Sequence, residues 1–243
     1  VVDDILTPLR ACAMEIGEAV KGHHRRGLSG VRPTQYHIDL VADEVALRVL
    51  SGAGFRIVSE ESGVTGSGDL TVVVDPIDGS TNCDRGIPFY STSLAVLRGD
   101  ELIAGLVMNH ADGTVFEALK GSGATRDGED IRPSGQVHPS HALMAFSGLP
   151  SRHLGWSQTR SMGAASVEIC LVADGSFDVY GVANHSTLNP WDYLAGLLIL
   201  REAGGFARDY KGEELETSAS VLRRPVFCAS RELLEFMLRE GPI

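Results

Sequence analysis

The chain lacks several things, and each absence removes a class of function. It has no basic excess: 21 Lys and Arg stand against 32 Asp and Glu, a formal net charge of −11. A nucleic-acid binder needs a basic face, so no such partner is expected. A small anionic substrate stays open, because bound cations reverse a local field. No apolar run is long enough to span a bilayer, so no membrane segment is expected. The opening, "VVDDILTPLR", is charged at once and does not read as a signal peptide. There is no C-x-x-C pair, internal repeat, heptad run or low-complexity segment. The scattered Cys12, Cys83, Cys170 and Cys228 read as free thiols of a reducing, cytoplasmic compartment. Cys12, Cys170 and Cys228 fit small buried hydrophobes, whereas Cys83 stands beside an acidic turn with no histidine at a nucleophile's spacing.

What is present supports a core. The 243 residues are 43% hydrophobic, enough for one large α/β domain or two halves sharing a core. Ile5, Leu9, Cys12, Ala13, Ile16 and Val20 recur at helical spacing, from about residue 3 to the "HHRRG" break. Ile38, Val41, Val45 and Val49 mark a second helix, ended by Gly52 and Gly54. "FRIVSE" and "LTVVVD" read as strands with a Gly/Ser-rich turn between them. "TSLAVLRGDELIAGLVMN", "TVFEALK" and "GATRDG" read as an antiparallel meander. After the break at "PSGQVHPSH" come a strand at "ALMAFSG", a helix at "AASVEICLVADG" with Val167, Cys170 and Leu171 on one face, and a strand at "FDVYGVA". A helix at "PWDYLAGLLILREAGG" follows, with a proline near its start and a glycine stop. "VFCAS" and "RELLEFMLRE" close the chain as strand and helix. The pattern predicts layered sheets and helices in two halves, 1–135 and 136–243, forming one compact unit.

The chemistry concentrates on "VVVDPIDGSTN". A buried strand runs into Asp75 and Asp78 on one tight turn. Close like charges force a carboxyl to take up a proton unless a cation lies between them. Hard Mg²⁺ suits such oxygen ligands. Asp75 is placed to bridge two ions and Asp78 to hold one, with the Ile77 carbonyl as a further ligand; Gly79 lets the chain turn away. An Asp-Gly turn at a strand end is also common without any metal. Two further acids tip the balance. Glu60 and Glu61 in "SEESG" end the preceding strand, and Asp192 lies in the first turn of a helix, where dipole stabilisation is its plainer role. With no His or Cys at ligand spacing, the set favours Mg²⁺ over Zn²⁺.

"DPIDGSTN", preceded by "SEES" and followed by "WDYLAGLLILREAGG", resembles the inositol monophosphatase family of Mg²⁺-dependent, lithium-sensitive phosphatases. "NCDRGIPFYSTSLAV" and "RSMGAASVEICLVADGSFD" extend the resemblance over nearly the whole chain. It implies an α-β-α-β-α sandwich of the inositol monophosphatase/fructose-1,6-bisphosphatase type, a homodimer, and two or three Mg²⁺ ions on Glu60, Asp75, Ile77, Asp78 and Asp192. It implies that Glu60 and Ser80 help activate the attacking water, with Ser80 oriented by a helix aspartate. Asp39 matches that aspartate; Asp43, one turn on, is the rival, and the family's usual preceding threonine is not evident in "QYHID". Gly79, Ser80, Thr81 and Ala165 would meet the substrate.

The substrate end departs from the family. Members that act on inositol phosphates tend to place a glutamate shortly before the Trp-Asp pair. "VYGVANHSTLNPWD" has none, and Val182 or His185 falls near that position. His185 is a candidate substrate contact, against the plainer reading of an exposed loop histidine. His23, His24, Arg25 and Arg26 fit a solvated helix end, and Trp191 fits core packing. The resulting expectation is hydrolysis of a small phosphate monoester, inositol-phosphate-like or another polyol or sugar phosphate. Histidinol phosphate, fructose 1,6-bisphosphate and a nucleotide 3′-phosphate are alternatives, and a non-catalytic regulatory protein keeping the fold is an alternative of another class.

Overall fold

The computed structural model describes residues 5–218 and 220–243. Helices α1 (Leu6–Gly22) and α2 (His37–Gly52) form the first layer. In α1 the residues Leu9, Cys12, Ala13, Ile16 and Val20 are buried, as the spacing predicts. In α2 the buried stripe is Ile38, Ala42, Ala46 and Leu50, while Val41, Val45 and Val49 are only half-buried. The valine stripe therefore lies at the margin of the buried face, where Val45 and Val49 still pack against the core cluster, and two alanines stand at its buried positions.

Under these helices lies a mixed eight-stranded sheet. Its strands are β1 (Arg56–Ser59), β2 (Gly63–Thr65), β3 (Leu70–Asp78), β4 (Ser91–Arg98), β5 (Glu101–Asn109), β6 (Val115–Leu119), β7 (Ala124–Arg126) and β8 (Glu129–Asp130), in the order β2-β1-β3-β4-β5-β6-β7-β8. β1 and β3 are parallel neighbours. The three-residue β2, inside the segment expected to be a plain turn, pairs antiparallel with the outer side of β1. Between β3 and β4 a short helix, α3 (Ser80–Arg85), stands where the sequence suggested only a turn.

The second sheet contains β9 (Leu143–Ser147), β10 (Gln158–Arg160), β11 (Val179–Val182), β12 (Phe206–Asp209) and β13 (Pro225–Cys228), in the order β10-β9-β11-β13-β12. The edge strands β10 and β12 were not anticipated; three or four residues are too few to show alternation. Helices α4 (Ala165–Ala173) and α5 (Pro190–Glu202) pack between the two sheets, and α6 (Arg231–Glu240) covers the outer face of the second. The layers are thus α-β-α-β-α, with one apolar cluster between α1/α2 and the first sheet, one around α4 and α5 that touches both sheets, and one between the second sheet and α6. α4 and α5 are buried almost all round, as helices between two sheets must be. α5 crosses β5 so closely that a Cβ on Gly105 would stand 2.8 Å from the Ala195 carbonyl oxygen. That seam brings the first turn of α5 to the ends of β1 and β3. All four cysteines are free, and only Cys83 is not buried. Among the described residues, no helix is long and apolar enough to cross a membrane.

Candidate active site

Parallel pairing of β1 with β3 does what the acidic strand ends require. The Glu60 N–H bonds to the Val74 carbonyl at 3.1 Å, which sets Glu60 beside Asp75. Asp192 enters from α5, where it is the third residue and caps the helix by accepting from Asn189 N at 2.7 Å. Its plainer role and its proximity to the other acids therefore coexist. Carboxylate oxygens of Glu60, Asp75 and Asp192 all lie within 4.8 Å of one another. Among the described residues, none of these three, nor Asp78, forms a salt bridge with Lys or Arg. Burial first, and then mutual repulsion, push Asp75 and Asp192 well above the usual carboxylate range. Burial pushes Glu60 up to about 7, although a hydrogen bond with Asp75 opposes the rise. Without a cation, this group must hold protons. Hard oxygen donors, close spacing and no resident counter-charge all fit divalent ions of the Mg²⁺ type.

Asp78 is arranged differently. A bulge interrupts the β3–β4 register between Asp75 and Asp78 and lifts Pro76 and Ile77 out of it. Asp78 then points at the start of α4. It accepts from Ser166 N at 2.7 Å, Ser166 Oγ at 2.6 Å and Ala165 N at 3.2 Å. Burial still pushes it up to about 6. It lies outside the three-acid group but shares a cavity wall with Asp192. Gly79, at φ 87°, ends the turn; a Cβ there would meet the Gly163 carbonyl oxygen at 3.0 Å and the Phe89 carbonyl oxygen at 3.1 Å.

The two rival helix aspartates separate cleanly. Asp39 accepts from Tyr36 N at 2.8 Å in a capping box, and the nearby Ser80 side chain favours its charged form. Burial pushes Asp39 up to about 6, against these effects and the nearby Arg32. Asp43 instead accepts from Ser59 Oγ and Ser62 Oγ, facing the end of β1. The Thr81 hydroxyl bonds Tyr36 Oη at 3.1 Å. Ala165 lends its amide to Asp78. His185 is exposed and lines neither cavity beside the acids, so the structure does not gather it into the site.

Two cavities flank the group. One of about 270 Å³ lies on the side of Asp78 and Asp192, walled by Ser147, Ser161, Ala164, Ala165 and Glu168 among others. Glu168 accepts from Met162 N at 2.9 Å and Gly163 N at 3.3 Å, and burial pushes it up to about 7. The other, about 670 Å³, reaches from Glu60 past Trp191 to Arg32 and Arg56. Arg32 bonds the Glu60 carbonyl and pairs with Glu61, fixing the end of β1. Ser166, Glu168 and Arg32 escaped the reading of the sequence; only the polar Ser166 and Glu168 inside an otherwise apolar helix could have signalled them.

Comparison with known proteins decides the affiliation. The sequence profile of the inositol monophosphatase family matches residues 9–240. The chain belongs to the inositol monophosphatase family. It is a phosphoric monoester hydrolase by that membership. The fructose-1,6-bisphosphatase/inositol-1-monophosphatase of Thermococcus kodakarensis is 36% identical over 210 residues, covering 83% of this chain and 80% of its own. The putative Nus factor SuhB of Neisseria meningitidis serogroup B is 34% identical, covering 70% and 71%. Among solved structures, a hypothetical Pyrococcus horikoshii protein with similarities to inositol-1 monophosphatase superposes with a TM-score of 0.84 at 25% identity, over 97% of this chain and 98% of that one. An inositol monophosphatase–fructose 1,6-bisphosphatase gives a TM-score of 0.84 at 26% identity, over 97% and 99%.

Proposed function

We propose that this family phosphatase hydrolyses a small polyol or sugar monophosphate with Mg²⁺ on Glu60, Asp75, Asp78 and Asp192. The observation that carries the reading is the meeting of the buried Glu60, Asp75 and Asp192 carboxylates with no Lys or Arg partner among the described residues, close to Asp39 at the start of α2. When bound, the ions would supply positive charge against the phosphoryl group and acidify water. The protein's own part is positional. Ser80 Oγ would donate a hydrogen bond to Asp39 and accept one from the attacking water, so that as the water loses its proton to Ser80 the serine's own proton passes to Asp39. Tyr36 N keeps Asp39 turned toward that hydroxyl. Glu60 is the second acceptor beside the water. The Ser80 and Thr81 amides in the first turn of α3, after Gly79, are free of helical partners and suit phosphate oxygens. In-line displacement needs no covalent intermediate, so positioning and charge carry the rate. Asp78 keeps a lone pair for an ion beyond its bonds to α4, and the bulge frees Ile77 for the same task.

The walls of the smaller cavity bear on the substrate. Among the described residues they contain carboxylates and hydroxyls but no Lys, Arg or His. A second phosphate would find no cation there, whereas hydroxyl groups of a polyol would find acceptors. This favours a monophosphate over a bisphosphate, although several relatives are named for both activities. The non-catalytic alternative is disfavoured because every expected acid is present. Lithium inhibition, a cytoplasmic location and a homodimer belong to the same reading, on the resemblance alone. A panel of phosphate esters assayed with Mg²⁺ tests it: polyol monophosphates should turn over faster than fructose 1,6-bisphosphate, and activity in excess chelator would overturn the metal assignment.

A further inference from the structure

We propose that Ser91, Thr92 and Ser93, the first residues of β4, are positioning residues that hold three separate acid-bearing segments at fixed spacing. The inference rests on the metal reading above. A central buried strand ordinarily carries aliphatic side chains, and β4 does so from Leu94 to Leu97. Its first three residues are hydroxylic and no more than 1% exposed. Each reaches a different segment.

Ser91 Oγ lies 2.9 Å from Ser166 Oγ, and Ser166 Oγ donates to Asp78 at 2.6 Å. A serine has one proton to give, so Ser91 is the donor in the first bond. Ser93 Oγ donates at 2.9 Å to the carbonyl of Trp191, the residue before Asp192. Thr92 points to the opposite face, as strand alternation requires, and donates at 2.8 Å to the carbonyl of Pro76. Pro76 stands in the bulge between Asp75 and Asp78, where the β3–β4 register is broken. With its proton committed, Thr92 must accept from His110 Nε2 at 2.7 Å, which fixes the ring's proton on that nitrogen. The His110 ring in turn fills the space over Gly17, where a Cβ would stand 2.8 Å from Nδ1. One strand end therefore braces the β3 turn, the start of α4 and the start of α5.

Partners that orient metal ligands typically carry about 10–100-fold in metal affinity or activity. The test is titration of the whole chain with Mn²⁺, following free ion by electron paramagnetic resonance, beside melting curves in chelator. Thr92→Val, Ser91→Ala and Ser93→Ala should each weaken Mn²⁺ binding by about tenfold or more, Thr92→Val most, because it strips Pro76 and His110 together. Thr92→Ser should restore binding. A merely structural role would lower melting temperatures and leave Mn²⁺ affinity within about twofold of wild type, and that result overturns the proposal. If Thr92→Val does not fold, the two alanine variants decide by the same criterion. Binding that is lost in Asp75→Asn but kept in the hydroxyl variants removes this inference alone. A wild type that binds no Mn²⁺ removes the metal reading and the inference with it.

Discussion

Two sets of buried carboxylates in this protein differ in what satisfies them. Asp178 and Asp209, in and beside the second sheet, are 9% and 3% exposed. Asp178 accepts from Ser134 Oγ at 2.5 Å and Leu143 N at 2.7 Å; Asp209 accepts from Lys211 N and Arg224 N, each at 2.7 Å. Asp75 is equally buried, at 3%, but its near neighbours are Glu60, Asp192 and Asp78. A carboxylate surrounded by N–H and O–H donors is part of the framework. One surrounded by other carboxylates suits a bound cation, which would relieve the repulsion.

The largest effect expected from this contrast is at Asp75. Asp75→Asn should abolish turnover and match or exceed wild type in melting temperature under chelator, because one member of the crowded acid group no longer has to be neutralised. It should lose the rise that Mg²⁺ gives the wild type through binding to the folded state. A mutant that melts well below wild type in chelator would place Asp75 with Asp209 as a framework residue.

The helix aspartates sharpen the same contrast within one helix. Asp39→Asn should lower kcat by about 10²–10⁴ with little change in KM, since proton acceptance matters only in the transition state. Asp43→Asn, which faces Ser59 and Ser62, should act mainly on stability. Steady-state kinetics of the pair check this, and the reverse order would break the assignment.

Asp209→Ala is the converse case. It leaves two amides without their acceptor and should destabilise by about 2–5 kcal/mol, equally with chelator and with Mg²⁺. Urea unfolding under both conditions measures it, and a Mg²⁺-dependent loss would erase the distinction between the two sets.

The smallest effect is in pH. Glu60 and Glu168 rise from 4.5 to about 7 on folding. Each holds its proton more tightly folded than unfolded. The stability this contributes is complete below about pH 4.5 and is lost as pH rises through about 7. In chelator, the wild-type melting temperature should therefore fall more steeply over this window than that of Glu60→Gln. Equal slopes would remove Glu60 from the group.

Much of this was legible in the sequence, for physical reasons. Glu60, Asp75 and Asp192 stand at strand ends or a helix's first turn, positions fixed by the element rather than by a loop, so their convergence followed once β1 and β3 were neighbours. The layer pattern followed from the periodic α1 and from the long apolar α5 with its proline start and glycine stop. Short elements did not show: α3, β2, β10 and β12 have too few residues for a period. The buried face of α2 was read partly off its centre because two of its buried positions are alanines. Ser91, Thr92 and Ser93 did not show because a hydroxyl at a strand's start does not announce its partner, and Ser166 offered only its polarity within an apolar helix. His185 stands exposed and lines neither cavity beside the acids, and nothing in a loop sequence fixes such a direction.

The most direct test is a crystal soaked with Mn²⁺ and examined by anomalous scattering. The account predicts a peak among the carboxylates of Glu60, Asp75 and Asp192, absent from Asp75→Asn crystals treated alike. A saturated crystal with no peak there, or a peak only elsewhere on the molecule, would contradict it.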